Sequence, residues 1–287
     1  MNKIIQTSLY ANASSLGLNW IYNIPYLERL SKSEDILFQA VDPAKYKRAR
    51  KAVMAYPNAK VGDVSLQGDI LKWLYKALEE NPELSKEDYE KLIYNHIKPG
   101  GEYEGWIEKY GKKLVFNETI KELELDHKPL EQNDDQMVGL IPYYACKALN
   151  LPNEKAFELT QAFSNEDDYK AYFEVFDKLI EDLKEKSFKD ALNNSLNYIP
   201  KHYGFKLNMA LNVEHPKDLL KIVSNACSIT YAIPLVYTIL YHTSSLNEAL
   251  KLNTVLGGAS SDRATLIGFL YSFKTPPSDD ALKILNL

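Results

Sequence analysis

The chain is poor in the residues that punctuate a βα alternation. Glycine and proline number only 12 and 13 in 287 residues, against average usage of about 7% and 5%. Folds that alternate strand and helix use glycine for turns and phosphate loops, so the shortage favours a mostly helical architecture. Cysteine is scarcer still. Cys146 and Cys227 stand far apart, each in an apolar context and without a C-x-x-C, which supports neither a zinc site nor a disulfide framework and leaves two reduced thiols as the expectation.

Other absences narrow the chemistry. The sequence contains no H-E-x-x-H, G-x-S-x-G, P-loop or G-x-G-x-x-G, and no two of its five histidines (His96, His127, His202, His215 and His242) are four residues apart. Zinc hydrolysis, the nucleophile elbow and the nucleotide cradle therefore have no visible basis. The formal net charge is −5, and the only basic run is Lys45, Lys47, Arg48, Arg50 and Lys51, so nucleic acid is not expected as a partner. A membrane is not expected either. Ile222 to Asn247 carries no Asp, Glu, Lys or Arg, yet it holds Ser224, Asn225, Ser228, Pro234 and His242 and reads as a buried core helix. Near the N-terminus, Lys3-Ile4-Ile5 before Gln6, Thr7 and Ser8 is too short for the apolar core of a signal peptide, and the expected location is cytoplasmic.

What remains is helical rhythm. Ile70, Leu71, Leu74, Tyr75 and Leu78 mark a helix over 69–80. Ser85 with Asp88 resembles a capping box, and Ser245 with Glu248 is one. Further helices are expected over 137–149, 153–164 and 168–185, with Pro99-Gly100-Gly101 as a stop. Gly257-Gly258 should end the helix before it with positive φ, and Asp262 should open the next at Arg263 to Ser272. The polar stretch 98–136 reads as irregular, either a lid or a surface segment. The expectation is an all-α chain forming a single domain over residues 1–287.

Two constellations carry candidate chemistry. Asn133-Asp134-Asp135-Gln136 sets adjacent carboxylates ahead of a helix, where they suit a hard cation, an amine or plain capping. Gly257-Gly258-Ala259-Ser260-Ser261-Asp262-Arg263 gathers flexible backbone and hydroxyls at a helix N-terminus. It reads either as an anion site or as a C-cap followed by an N-cap.

The second constellation belongs to a longer pattern. Cys227-Ser228-x-x-x-Ala232-x-Pro234, Glu248-Ala249-Leu250-x-x-Asn253 and Gly257-Gly258-Ala259-Ser260-Ser261-Asp262-Arg263-Ala264-x-Leu266-Ile267-Gly268 resemble the ADP-ribosylglycohydrolase superfamily, and within it the branch that includes the J-type lens crystallins. Ala13 to Tyr22 sits where that branch has D-A-x-x-L-x-x-H-W-I-Y. Gly62-x-x-Ser65-Leu66-Gln67-Gly68-Asp69 sits where it has G-x-x-T-H-Y-G-D-Q, and Glu102 to Ile107 also fits. Half of the glycines (Gly17, Gly62, Gly68, Gly257, Gly258 and Gly268) fall in these segments.

The resemblance implies an all-α fold around a central cleft, in which active members use a dinuclear magnesium site to hydrolyse the glycosidic bond of ADP-ribose conjugates. It also implies ligands from an early S/T-D-D-T and a late G-G-D-x-D-T motif. Here Leu66 and Gln67 stand at the early aspartates, and Ala259 and Ser261 at the late ones. No resident cofactor is therefore expected, magnesium having lost its ligands. The carboxylates nearest the motif positions are Asp69, Asp134, Asp135 and Asp262, which form the candidate catalytic set, since glycosidic cleavage also runs on paired carboxyls. Ser65, Gln67, Asn133, Gly258, Ser260, Ser261 and Arg263 form the candidate ligand-binding set. The resemblance implies a binder of an ADP-ribose or nucleotide-sugar-like ligand, with a metal-independent glycoside hydrolase and a non-catalytic crystallin-like protein as alternatives.

Overall fold

The protein is described by a computed structural model covering the backbone of residues 1–287 and every side chain except those of Lys201 and His202. It is all-α. Along the chain run α1 (Lys3–Leu16), α2 (Ile24–Ser33), α3 (Pro43–Ala49), α4 (Leu66–Glu80), α5 (Lys86–Ile97), α6 (Lys109–Glu122), α7 (Ile141–Ala148) and α8 (Asn153–Thr160). They are followed by α9 (Asp168–Leu183), α10 (Phe188–Ser195), α11 (Lys201–Asn212), α12 (Ile229–His242), α13 (Leu246–Val255), α14 (Ser260–Ser272) and α15 (Asp279–Leu282). Extended pairing among the described residues is confined to two isolated bridges, Ile21 with Ala52 and Asn133 with Ser164.

The helices gather into two compact units. The first takes Met1–Ser65 and Ala171–Leu287; the second is the continuous stretch Leu66–Lys170. In the first, α1 lies along α14. Both helices are buried over most of their length, and the close pairing follows from small residues. A Cβ on Gly268 would stand 2.5 Å from the Thr7 carbonyl and 2.6 Å from the Ala11 Cβ, so only glycine admits this approach. α12 and α13 pack onto α14. In the second unit α4 packs on α7, α7 on α8 and α5 on α6, around a core that includes Tyr89, Tyr110 and Phe163 in edge-to-face contact.

The caps explain most helix starts. Ser85 accepts from the Asp88 amide and Ser245 from the Glu248 amide, and Glu248 returns a bond by accepting from the Ser244 amide. Asn2 and Asn23 cap α1 and α2 in the same way.

Three expectations change. The apolar run 222–247 is not one helix: α12 takes Ile229–His242 and α13 begins at Leu246. Ahead of α12, Ser224 accepts from the Ala226 amide and the Asn225 side chain donates to the distant Leu256 carbonyl, so one local and one long-range hydrogen bond hold this stretch in a loop. The irregular stretch 98–136 contains α6, whose apolar residues show little one-sided periodicity and whose Gly111 lets the helix meet Ile107 and Ile97 closely. Asp262 does not precede its helix. The N-cap is Ala259, and Asp262 lies in the first turn of α14. No helix among the described residues is long and apolar enough to cross a membrane.

Candidate functional site

In the first unit, residues from four distant segments meet in a buried polar cluster. Asn12 organises it. Its Oδ1 accepts from the Ser65 amide at 2.8 Å, and its Nδ2 reaches Ser65 Oγ at 2.9 Å, Thr265 Oγ1 at 3.0 Å and the Ser261 carbonyl at 3.3 Å. Ser65 Oγ donates to Asp262 Oδ1 at 3.3 Å. Asn19 Oδ1 accepts from the Ser261 amide at 3.1 Å. Asn12, Ser65, Ser261, Asp262 and Thr265 are all at most 1% exposed. Hence the carboxyl of Asp262 and the hydroxyls around it lie in a medium that penalises unpaired charge.

The backbone here is set by two glycines. Gly257 and Gly258 have φ of +66° and +69°, and a Cβ on Gly258 would come within 2.0 Å of the Asn225 carbonyl. The turn they form is closed by the Gly258 amide donating to the Ile21 carbonyl and by the Trp20 amide donating to the Gly258 carbonyl, both at 2.8 Å. Arg263, expected among the ligand-binding groups, instead holds this turn together from inside. Its guanidinium donates to Asn253 Oδ1 at 3.1 Å and to the carbonyls of Asn253 at 3.3 Å, Gly257 at 2.6 Å and Asn225 at 3.2 Å. The side chain is wholly buried, and its planar fork suits the convergent carbonyls as an ammonium could not.

Burial pushes the Asp262 carboxyl up to about 7, against the lowering effect of the Ser65 hydrogen bond and the adjacent Arg263 charge. Burial likewise brings Arg263 down to about 10, so its guanidinium stays charged at neutral pH. Two neighbouring polar atoms, Ser261 Oγ and Asp262 Oδ2, are buried with no hydrogen-bond partner among the described residues. Ser260 is buried beside them; its hydroxyl approaches Asn19 Oδ1 at 3.5 Å, and its carbonyl accepts from Asn253 Nδ2 at 2.8 Å.

The remaining candidates lie in the second unit. Asp69 occupies the first turn of α4 and pairs with Lys72 at 2.7 Å, a position that the helix dipole favours. Gln67, at 1% exposure, keeps both amide atoms buried without a partner among the described residues. The adjacent carboxylates Asp134 and Asp135 part company. Asp134 is buried and faces Lys113 Nζ at 3.0 Å, its amide donates to the Phe163 carbonyl and its carbonyl accepts from Tyr169, whereas Asp135 is exposed. Lys113 also donates to Asn133 Oδ1 at 2.7 Å. The Asn133–Gln136 segment is thus tied to α6 and to Tyr169, and the helical turn beginning at Met137 has no side-chain cap from Gln136.

Asn12, Asn225 and Thr265 belong to the cluster without having been singled out as site residues. Asn19 and Asn253 fell inside the motif-like segments, which is the one signal that pointed to them. Neither the half-buried Cys227 nor the buried Cys146 is in a disulfide. Among the histidines, His96 stacks on Trp73 at 4.0 Å between ring centroids, and the side chain of His202 lies outside the described residues.

The donor set does not fit a dinuclear magnesium site. Magnesium requires several hard oxygen ligands in octahedral array, but Leu66 and Ala259 offer none. The cluster's carboxylate, Asp262, is hydrogen-bonded to Ser65 and adjoins a buried guanidinium. By sequence comparison, no family model matches the chain and no curated protein matches it.

Proposed function

We propose that the chain is an ADP-ribosylglycohydrolase-like protein without the dinuclear magnesium site, and that it binds an ADP-ribose or nucleotide-sugar-like ligand at the Ser65–Asp262 cluster. The observation that supports this reading is the meeting of the two motif-like segments. Ser65 and Asp262 lie far apart in sequence, yet their side chains are hydrogen-bonded at 3.3 Å with Asn12 bridging Ser65 to the first turn of α14. Such convergence is what a shared cleft motif requires, and packing alone gives no reason for so many polar groups there. Ser261 Oγ and Asp262 Oδ2, without partners among the described residues, are the groups toward which ribose hydroxyls would be directed once the first turn of α14 opens to admit them, since both residues are buried.

Binding is preferred to metal-independent hydrolysis because acid–base cleavage of a glycosidic bond uses two flanking carboxyls, and the cluster in this unit brings one. Isothermal titration with ADP-ribose, with and without magnesium, tests the reading. Saturable binding that magnesium does not strengthen, and that Ser261→Ala weakens by about tenfold, the worth of one good hydrogen bond, is the expected result. No heat and no shift in melting temperature at millimolar ADP-ribose would overturn it and leave the crystallin-like, non-catalytic alternative.

A further inference from the structure

The second unit carries a separate concavity that the cluster does not involve. It lies between the end of α5, the loop over 98–107 and α6, with a volume of about 630 Å³, within the range that accommodates small molecules. Its walls are apolar: Ile97, Pro99, Ile107, Val115 and Phe116. Phe116 is 44% exposed and the neighbouring Trp106 41%, a large uncovered apolar area for so short a segment.

The rim adds a charge signal. Lys98 and Lys112 both line the concavity. The Lys112 ammonium sits over the Trp106 ring at 4.7 Å and the Lys98 ammonium over the Tyr94 ring at 4.9 Å. A ring face orients an ammonium without neutralising it, and among the described residues neither lysine has a carboxylate partner. Glu104 is the one acidic residue of this lining; Lys112 lines only this concavity, while Lys98, whose ammonium lies over Tyr94, stands at the edge it shares with a second hollow lined by Tyr94, Glu87, Glu118 and Glu122.

We propose that this concavity is a binding site for an amphiphilic anion, an aliphatic carboxylate whose chain lies on Ile97, Ile107, Val115 and Phe116 and whose head group meets Lys98 and Lys112. The aliphatic majority of the floor favours a flexible chain, and the rim favours a negative head. This site is independent of the ADP-ribose reading, and either can fail alone.

The test titrates the full-length protein with dodecanoate, dodecanol and dodecyltrimethylammonium below their micelle-forming concentrations, following tryptophan fluorescence and melting temperature. Dodecanoate should bind saturably and at least about tenfold more tightly than the other two, the factor expected of one partly solvated charge pair. Lys98→Glu with Lys112→Glu should invert the ranking in favour of the cationic amphiphile, and Phe116→Glu should abolish dodecanoate binding. These side chains lie at the surface or rim, so folding is expected to persist; Lys112→Gln offers a milder variant, with a partial loss for dodecanoate alone. Equal binding of all three amphiphiles, no saturable response, or a ranking unchanged by charge reversal would overturn the proposal.

Discussion

Asp262 is a carboxyl with one oxygen on Ser65 and the other without a partner among the described residues, inside a protein interior. Its consequence for stability has a definite sign. In the unfolded chain the group releases its proton near pH 4, whereas in the native state burial holds the proton until about pH 7. Its contribution is therefore fully present below the unfolded value and is lost as pH rises through the native one. Asp262→Asn, which keeps an acceptor for Ser65 and cannot ionise, should remove this slope. Urea midpoints of the two proteins should lie closest together at about pH 3, below the unfolded value, and diverge through about pH 7, with the variant the more stable at about pH 8; parallel profiles would show that the native carboxyl titrates normally. The other charge in the pair behaves differently. Arg263 donates to one side-chain oxygen and three carbonyls and so remains ionised within the same medium.

Among the elements, the α1–α14 pair is the tightest junction and the easiest to overfill. Gly268→Ala would press a methyl group against the Thr7 carbonyl and Ala11. A destabilisation of about 1–3 kcal/mol is expected from such overpacking, measurable by chemical denaturation with an unchanged denaturant slope; a loss within error would mean that the two helices separate easily. The element starts were readable in the sequence wherever a local hydrogen bond sets them. Ser85, Ser245 and the Gly257–Gly258 turn announce themselves within a few residues, and the structure places them accordingly. α6 was not readable, because its buried face mixes Asn117 and Glu118 with Tyr110 and Leu114 while the apolar Phe116 lies exposed, so its pattern has no single apolar face. The cluster was half readable. Ser65 and the 257–263 segment stand out as motifs, but an asparagine such as Asn12 in an apolar helix carries no periodic signal, and its partners Ser65 and Thr265 are remote in the chain. Lys72 and Lys113, which occupy Asp69 and Asp134, were hidden for related reasons: one is an ordinary helix neighbour, the other arrives from the unexpected helix.

For the molecule as a whole, the two cysteines are natural reporters. Cys146 is buried within α7, in the second unit, and burial pushes its thiol up to about 12, so little reactive thiolate forms there at neutral pH. Cys227 lies half-buried just ahead of α12, in the first unit. With a thiol reagent under native conditions Cys227 should react first, and Cys146 at a rate that follows the opening of the second unit. Adding denaturant should bring the slow thiol up to the fast one. Two equally fast reactions in the native protein would contradict the burial of Cys146.

The division of the chain also has a temporal side. The second unit is one unbroken stretch, while the first is assembled from segments on either side of it. A ribosome therefore releases α1 long before α14, the helix that covers it, and an emerging chain holds the apolar faces of α1 uncovered throughout the synthesis of everything between. The second unit has all its own residues available first and can condense early. Closure of the Asn12–Ser65–Asp262 bonds is then a late event in biogenesis, and the period before it is when the nascent protein has most need of a chaperone.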